Sequence, residues 1–281
     1  MSIQDITIVI TSFRSDQKII NCLNSINNQC KVIIVENSNN SKFKERIEKE
    51  FNNIECVLAG ENLGYGKANN IGLKKVKTKY ALILNPDASL HSSTLENFFH
   101  TIKQAPEFAI IGPYLQKKMN NEDKMYESQN KLIEVKNIKG FAMFLNLSKF
   151  KEIGFFDENF FLYFEEIDLC KRIISSKNKI YLATDIKINH EGAQSHDETI
   201  NNKMELSRNW HWMWSTFYYQ KKYKGFLVAF FIVLPRLISA IFKIFIYKIL
   251  RNREKREIYF HRYSGLINAI RGKTSWYRPK V

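Results

Sequence analysis

The amino-acid sequence predicts an α/β fold with a mostly parallel sheet flanked by helices, followed by a C-terminal amphipathic helical region. Up to about residue 112, short runs rich in Ile and Val alternate with stretches whose apolar residues have helical spacing. This alternation favours parallel strands joined by right-handed helical crossovers. After residue 220 the chain carries 15 Lys and Arg against two acids, whereas the earlier residues are nearly neutral. That asymmetry indicates a second region with its own role.

Four strands and three helices are predicted before residue 85. Ile6–Ile10 is a β-branched run, typical of a strand that is buried on both faces. In the stretch that follows, Ile19, Leu23 and Ile26 recur at helical spacing. The same two patterns predict, in chain order, a strand at 31–35, a helix at 42–50, a strand at 54–58, a helix at 67–76 and a strand at 80–84.

Polar and small residues follow each of these strands, at the sheet edge where α/β proteins bind their ligands. In the third of these segments, Gly64 and Gly66 precede a helix and allow the backbone to approach a phosphate. A lone Asn-Leu-Gly is usually only a turn, so the prediction of a ligand site depends on all the segments occurring in order. The segments are Thr11 to Phe13, Glu36 to Ser38, Glu61 to Lys67 and Asn85 to Asp87.

The middle of the chain contains a cluster of acids at the start of a predicted helix. Residues 113–137 are polar and predict a loop, and residues 138–145, which include Gly140, predict a strand. Three carboxylates, Glu165, Glu166 and Asp168, then follow a run of aromatic residues. Acids favour a helix N-terminus because of the backbone dipole. Burial behind aromatic rings would also raise a carboxyl pKa toward that of a general base, so both interpretations stay open.

His190 follows a predicted strand at 179–183. His190 and His196 are six positions apart, which does not match the two-histidine motif of zinc proteases, and a lone His is usually structural. The four cysteines lack CxxC spacing, so we expect reduced thiols rather than a zinc site or a disulfide framework.

Taken together, the motifs NLGYGKANNIG, LILNPDA and GFFDENFFLYFEEIDLCKR, in this order, resemble family 2 glycosyltransferases, which are inverting enzymes of the Rossmann-like GT-A fold. The subgroup that the chain resembles is the bacterial rhamnosyltransferase-like enzymes of O-antigen and cell-wall synthesis. The resemblance runs from residue 6 to about residue 200. We therefore expect a GT-A catalytic domain at residues 1–204 and a basic, aromatic and apolar helical tail at residues 205–281.

The resemblance also implies roles for individual residues. Glu166 would be the base that deprotonates the acceptor hydroxyl, and Asp87 with His190 would hold Mg²⁺ or Mn²⁺ against the donor diphosphate. Glu165 and Asp168 would position the acceptor or brace the loop, and Gly140 would also line the acceptor site. The nucleotide-sugar site would comprise Thr11, Ser12, Phe13, Glu36, Asn62, Gly64, Lys67, Asn70, Asn85 and Asp87. Inverting transfer needs one base and one means of stabilising the leaving diphosphate, which a divalent ion supplies as a Lewis acid.

The sequence departs from the family pattern at three positions. Asn85 stands where the metal motif often has a first acid, and Glu36 and Glu166 stand where Asp is usual. The carboxylate is retained at Glu36 and Glu166, and Asp87 keeps the last acid of the metal motif.

The tail contains a strongly apolar stretch at residues 226–250. Its longest uncharged run, Gly225 to Pro235, has 11 residues, short of the roughly 20 that a spanning helix needs. Because Arg236 and Lys243 share a helical face, we expect this helix to lie in a membrane interface. Aromatic residues and the many Lys and Arg would anchor it to an anionic leaflet; the aromatic residues are Trp210, Trp212, Trp214, Tyr218 and Tyr219. A helical subdomain packed on the catalytic domain, or a dimer interface, is the alternative. Nucleic acid is disfavoured as a partner, because the apolar stretch has no role on a phosphate backbone.

The expected protein is a cytoplasmic glycosyltransferase, peripheral on the inner face of the plasma membrane, since the N-terminus shows no secretory signal pattern. It would move a sugar from a nucleotide-diphosphate donor, dTDP-rhamnose or a UDP-sugar, to a lipid-linked saccharide or surface polysaccharide. A non-catalytic sugar-nucleotide-binding partner of an assembly complex is the alternative, favoured by Asn85. A nucleotidyltransferase is disfavoured, because residues 11–15 contain no glycine.

Overall fold

The structure is a computed structural model that describes residues 3–114, 132–190 and 198–279. The chain divides into two compact units. We call Met1–Phe156 with Glu166–Asp197 the sheet unit, and Asp157–Glu165 with Glu198–Val281 the helical unit.

Ten strands lie in the described part of the sheet unit, eight of them in one sheet of order β3-β2-β1-β4-β8-β6-β9-β7. The other two, β5 and β10, form a separate antiparallel pair. The strands are β1 Ile6–Ser12, β2 Lys31–Glu36, β3 Ile54–Leu58, β4 Tyr80–Leu84, β5 Ala88–Leu90, β6 Phe108–Pro113, β7 Leu132–Glu134, β8 Ala142–Asn146, β9 Lys179–Ala183 and β10 Ile188–His190.

The sheet is mixed, and its parallel part is the part predicted from the sequence. The pairs β2–β3, β1–β2, β1–β4 and β6–β9 are parallel. β8 runs antiparallel between β4 and β6, and β7 is an antiparallel edge strand on β9. The four strands predicted before residue 85 are confirmed. The loop predicted at 113–137 is wrong at Leu132–Glu134, where pairing with β9 makes a strand, and residues 115–131 lie outside the described residues.

Helices cover both faces of the sheet. Successive residues of a strand point to opposite faces, so a strand that is apolar throughout needs cover on both sides. In β1, Ile8 joins the apolar cluster on one face and Val9 joins the cluster on the other. Gly72 allows a close approach of its helix to the sheet, because an added Cβ would overlap the Val9 side chain. The helices are α1 Lys18–Ile26, α2 Ser41–Glu50, α3 Tyr65–Lys75, α4 Thr94–Gln104, α5 Phe150–Ile153 and α6 Glu165–Ser175.

The helical unit contains three long helices, α7 Asn201–Lys224, α8 Phe226–Ile249 and α9 Arg253–Ile270. Trp210 and Trp214 are 0% and 4% exposed in its core. Their ring N–H groups donate to the Ser264 hydroxyl at 3.2 Å and to the Lys273 carbonyl at 3.0 Å. The prediction that these two residues anchor the tail to a membrane is therefore wrong, since their rings fill the core of the unit.

One face of α8 is apolar and exposed. Among the described helices, α8 is long and apolar enough to cross a membrane, and only 17% of its most apolar window is buried. Arg236, Lys243 and Lys248 interrupt the apolar sequence of this continuous helix. The exposed apolar residues lie away from Arg236 and Lys243 around the helix axis. We call these residues the α8 stripe; they are Leu227, Phe231, Ile238, Ile241, Phe242, Phe245 and Ile249.

Candidate active site

The end of β1 presents two hydroxyl groups that the rest of the described chain leaves unsatisfied. Thr11 Oγ1 and Ser12 Oγ are buried and make no hydrogen bond with any described residue. Buried hydroxyls normally have a partner, because an unmade hydrogen bond costs about 1–3 kcal/mol. Phe13 follows them and is half-buried. These residues can therefore contact a polar ligand at the end of β1.

Glu36 closes the turn after β2. Its carboxylate is 1% exposed and accepts hydrogen bonds from the Ser38 hydroxyl, from the Ser38 amide at 3.0 Å and from the Asn40 amide at 2.6 Å. The Asn40 side chain in turn caps α2 by accepting from the Phe43 amide. Both oxygens of Glu36 are thus used within the turn, and the longer Glu side chain reaches back to its own loop.

Asn37 holds the glycine-rich segment between β3 and α3. Its amide nitrogen donates to Asn62 Oδ1 and to the Gly64 carbonyl, both at 3.2 Å, and its oxygen accepts from the Leu63 amide at 2.9 Å. Gly64 has φ of +80°, a conformation that glycine adopts without steric cost. Lys67 lies in the first turn of α3 and is half-buried. The segment is therefore built around Asn37 before any ligand binds.

Asn70 supports a second loop from within the sheet unit. Its amide donates to the Phe156 carbonyl at 2.9 Å and accepts from the Phe156 amide at 3.0 Å. Because both ends of the side-chain amide bind the same backbone residue, Asn70 fixes that loop to α3. The structure thus uses Asn70 as a brace, with 4% of the residue exposed.

Asp87 and His190 lie together where β5 pairs with β10. The register places His190 opposite Ala88, and His190 Nε2 lies 3.4 Å from Asp87 Oδ1. His190 also stacks on Phe141, with ring centroids 4.4 Å apart. The Phe141 carbonyl accepts from the Asn85 amide at 2.8 Å, which ties the Asn85-Pro86-Asp87 turn to the start of β8.

This pair fits a hard divalent cation. His190 Nε2 is buried and makes no hydrogen bond with any described residue, and Asp87 supplies a carboxylate with 0% of its side chain exposed. No cluster of three or more metal-ligating side chains occurs among the described residues. Mg²⁺ and Mn²⁺ are commonly held by one or two protein groups while substrate phosphates complete the coordination shell.

Glu166 lies at the point where three segments of the sheet unit meet. A Cβ added at Gly140 would contact Glu166 Cβ at 3.6 Å and the Tyr65 hydroxyl at 3.6 Å. The Tyr65 hydroxyl donates to the Gly140 carbonyl, which ties the start of α3 to this position. Burial raises the pKa of the Glu166 carboxyl above its ordinary range, although backbone N–H groups and the charge of Lys139 oppose the rise. A carboxylate with a raised pKa is suited to accept a proton near neutral pH.

Asp168 braces the segment before the helix that carries the acids. It is fully buried and pairs with Arg172 Nε at 2.9 Å, one helical turn away. The Arg172 guanidinium also donates to the carbonyls of Ile153, at 2.6 Å, and Phe155. Glu165, the first residue of α6, is 5% exposed.

Three residues that the sequence interpretation did not single out help to build this site. They are Tyr65, Phe141 and Arg172, which contact Gly140, His190 and Asp168 respectively. The i,i+4 spacing of Asp168 and Arg172 could have been recognised as a helical ion pair. The other two contacts join residues far apart in sequence and leave no local signal.

Comparison with known proteins identifies a family and a fold. A family model described as glycosyl transferase family 2 matches residues 7–170. A low-salt glycan biosynthesis hexosyltransferase from Haloferax volcanii is 26% identical over 192 residues, which cover 60% of this chain and 62% of that protein. A teichoic acid poly(glycerol phosphate) polymerase from Staphylococcus epidermidis is 32% identical over 108 residues, which cover 34% of this chain and 15% of that protein. The matches thus span less than two thirds of the length of either relative.

Two solved structures share the fold at low sequence identity. A mannosyltransferase from Pyrobaculum calidifontis, in complex with GDP-mannose and Mn²⁺, superposes with a TM-score of 0.59 at 12% identity, covering 96% of this chain and 88% of that chain. TarS from S. aureus superposes with a TM-score of 0.54 at 12% identity, covering 92% of this chain and 54% of that chain. These similarities confirm the GT-A-like fold of the chain.

Proposed function

The chain belongs to glycosyl transferase family 2, and from this premise we propose that it is an inverting glycosyltransferase that uses a nucleotide-diphosphate sugar. The observation that carries the proposal is the placement of Glu166. This half-buried carboxylate adjoins Gly140 and Tyr65, and the next residue after Gly140 stacks on His190 beside Asp87. The proposed base and the proposed diphosphate-binding pair therefore lie in neighbouring parts of the sheet unit.

In the proposed reaction, the Glu166 carboxylate accepts the proton of the acceptor hydroxyl. The acceptor oxygen then forms a bond to the anomeric carbon while the bond from that carbon to the diphosphate oxygen breaks. The nucleoside diphosphate leaves with the electron pair, and the configuration at the anomeric carbon inverts. The Thr11 and Ser12 hydroxyls would bind the nucleotide at the end of β1.

Asp87 and His190 would hold Mg²⁺ or Mn²⁺, which would offset the negative charge that develops on the leaving diphosphate. The mannosyltransferase structure with GDP-mannose and Mn²⁺ supports this assignment by analogy of fold. The Asp87 carboxylate and the unsatisfied His190 nitrogen support it from the chain itself.

The donor and the acceptor are proposed from the resemblance of the motifs. We infer dTDP-rhamnose as the first donor to test and UDP-sugars as the next, with a lipid-linked saccharide or a surface polysaccharide as acceptor. The hexosyltransferase of glycan biosynthesis and the teichoic acid polymerase among the relatives support an acceptor of this class.

We also propose that the protein lies on the inner face of the plasma membrane, with α8 in the plane of the interface. The α8 stripe supports this placement, since its seven large apolar side chains are between 49% and 71% exposed. The basic residues after position 220 support an anionic lipid surface.

The function is tested by replacing Glu166 with Gln, which keeps the size of the side chain and removes the base. We expect kcat to fall by about 10²–10⁴-fold, the usual contribution of a general base, while the donor still binds. Transfer of labelled sugar from dTDP-rhamnose and UDP-sugars to a bacterial lipid extract would give kcat, and calorimetry would give donor Kd. Unchanged turnover would exclude Glu166 from the mechanism.

The matched control is Glu45→Gln, which removes an exposed carboxylate on α2 and should leave both readouts unchanged. The pH profile provides a second readout. Because burial raises the pKa of Glu166, the acid limb of kcat should lie above the ordinary Glu value of about 4.3. Donor binding without any transfer in the wild-type protein would favour the non-catalytic binding partner instead.

A further inference from the structure

A pocket of about 320 Å³ lies within the helical unit, among residues of α7, α8 and α9. Three cationic side chains line it, Arg236 and Lys243 from α8 and Arg262 from α9. Trp212 and Tyr259 supply aromatic walls, and Ser239 adds a hydroxyl group. No Asp or Glu is among the lining residues. A concave site with one sign of charge attracts a ligand of the opposite sign.

Two of the three cations, Lys243 and Arg262, are held in place by neutral groups. Lys243 Nζ donates to the Tyr259 hydroxyl at 3.1 Å and lies 4.8 Å from the centre of that ring. The Arg262 guanidinium lies 5.0 Å from the same ring centre, and its Nε donates to Asn209 Oδ1 at 2.6 Å. Among the described residues, no carboxylate forms an ion pair with any of the three cations of the pocket. Their positive charges therefore remain available to an anion.

The chemistry of the lining groups favours a phosphate. Arg presents a planar set of donors that matches phosphate oxygens, and Lys binds phosphate as a point charge. The Ser239 hydroxyl lies in the same lining and can donate a further hydrogen bond.

Exposed apolar groups at the pocket and on the helix that supplies most of its lining favour a lipid as the source of that phosphate. Trp212 lines the pocket and is 44% exposed, and the α8 stripe lies on another face of the helix that supplies Arg236, Ser239 and Lys243. An inorganic phosphate would make no use of these apolar groups, whereas a lipid presents its phosphate next to hydrocarbon. We propose that this pocket binds the phosphate headgroup of a membrane lipid. This inference rests on the proposed membrane attachment and assigns a specific site to it.

The proposal is tested by vesicle binding of the full chain, with no sugar nucleotide present. One variant combines Arg236→Gln, Lys243→Gln and Arg262→Gln. Its control combines Lys221→Gln, Lys224→Gln and Lys248→Gln, which removes the same charge from exposed positions outside the pocket. On phosphatidylcholine vesicles containing about one fifth phosphatidylglycerol, the loss of three positive charges should weaken the binding of both variants alike. If the pocket binds a headgroup, the pocket variant should bind more weakly by a further factor of about 10 or more. Equal weakening of the two variants would overturn the proposal.

Two further arms identify the ligand chemistry. When oleate replaces phosphatidylglycerol at equal surface charge, the difference between the two variants should disappear, and a difference that persists would show recognition of charge rather than phosphate. Soluble pyrophosphate should compete only weakly with vesicles. Displacement of the protein by micromolar pyrophosphate would indicate a site for free phosphates and overturn the lipid assignment.

Folding and function are controlled separately. Both triple variants should keep the circular dichroism and thermal midpoint of the wild type. If Arg262→Gln disturbs folding by removing the hydrogen bond to Asn209, Arg236→Gln alone tests the site. Arg236 is exposed, so its replacement should leave the fold intact. The single variant should still bind phosphatidylglycerol vesicles at least about threefold more weakly than Lys221→Gln alone, and equal binding would overturn the proposal. Donor binding by the sheet unit should be unchanged in every variant. A failure of the Glu166 test would therefore leave the lipid result intact, and a failure of the lipid test would leave the glycosyltransferase proposal intact.

Discussion

At the scale of single residues, the site combines groups that are committed to the fold with groups that remain available to a ligand. The Asn37 and Asn70 amides and the Glu36 carboxylate bind loop backbone or neighbouring side chains. The Thr11 and Ser12 hydroxyls and His190 Nε2 make no hydrogen bond with any described residue. This division suggests that the first group shapes the loops, while the second group meets the donor and its metal.

Asp87 provides a direct test of the metal assignment. We expect Asp87→Asn to remove the gain in nucleotide affinity that Mn²⁺ produces, by about 10-fold or more, because an amide is a weaker ligand for a hard cation. Calorimetry with UDP, dTDP, GDP and CDP, each with and without Mn²⁺, would measure the effect and identify the nucleotide. Glu107→Gln, which removes an exposed carboxylate paired with Lys149, is the control. A metal effect that survives in Asp87→Asn would place the metal elsewhere.

His211 makes the stability of the helical unit depend on pH. Burial lowers the pKa of His211 to about 3, and its ring nitrogens lie 2.9 Å from the Ser275 hydroxyl and 2.8 Å from the Tyr277 carbonyl. The folded unit thus holds His211 neutral, whereas the unfolded chain binds a proton below about pH 6.5. Stability should be fully present above that pH and should fall as the pH drops toward 3, by up to about 1.4 kcal/mol per pH unit.

Urea unfolding followed by tryptophan fluorescence measures this dependence, because all four tryptophans lie in the helical unit. His211→Asn should be less stable at pH 7.5 but should show a flatter dependence between pH 7.5 and 4.5. His261→Asn, on α9, serves as the control and should keep the wild-type slope. An unchanged slope in His211→Asn would assign the pH dependence to other groups.

At the scale of elements, the sequence predicted those strands whose burial leaves a local pattern. β1, β2 and β4 are buried along nearly their whole length and appear as runs of Val, Ile and Leu. β5, β7 and β10 have three residues each, too few for a periodic pattern. The placement of β8 between β4 and β6 depends on contacts far apart in sequence, so no local pattern could have predicted it.

The segment before α6 shows a conformation that the sequence did not predict. Tyr163 and Phe164 both have φ of +71°, which costs non-glycine residues about 1–2 kcal/mol each. Both rings pack against Trp212, at centroid distances of 5.2 Å and 5.4 Å. The sequence did identify the aromatic cluster and the acids behind it. The backbone turn that the cluster stabilises could be seen only in the structure.

The crossing of α7 and α9 depends on a glycine. A Cβ added at Gly265 would overlap the carbonyl oxygen of Trp210, and a backbone atom cannot rotate away. We expect Gly265→Ala to destabilise the helical unit by about 1–2 kcal/mol net. Overpacking against a backbone atom should cost the upper part of the typical range of about 1–3 kcal/mol, and the gain of about 1 kcal/mol that Ala gives in an exposed helix offsets only part of it. Urea unfolding by tryptophan fluorescence would measure it, with Glu254→Ala at an exposed position of α9 as the control. A stabilised Gly265→Ala variant would contradict the close crossing.

At the scale of the whole molecule, charge and apolar surface are concentrated in the same part of the chain. Residues 221–281 carry a net charge of +13, and the α8 stripe belongs to the same stretch. The sequence predicted this coincidence correctly but misassigned Trp210 and Trp214, because tryptophans in a core and at a membrane surface look alike in a helical pattern. Trp212, at 44% exposed, is the one of these three that can meet a surface.

The attachment of α8 to the membrane can be distinguished from a membrane crossing. An in-plane helix is held by its apolar face and by charge, so high salt should release the protein only in part, because salt screens the charges alone. Alkaline carbonate should release it completely, whereas a spanning helix would stay with the membrane. Arg236, in the middle of α8, favours the in-plane placement, since a charged side chain is costly at the centre of a bilayer. Protein that remains in the membrane after carbonate extraction would overturn it.

The apolar part of the attachment is measured by replacing Phe231, Phe242 and Phe245 with Ser. These side chains are 65% to 66% exposed, so their loss should leave the stability of the helical unit nearly unchanged. Each buried Phe contributes about 1.5–3 kcal/mol, and binding to vesicles should therefore weaken by more than about 100-fold. Phe217→Ser is the contrasting variant, because Phe217 is 1% exposed and its replacement should unfold the unit rather than release it. If the triple variant binds vesicles as tightly as the wild type, the basic residues alone hold the protein at the membrane, and the α8 stripe must face a protein partner.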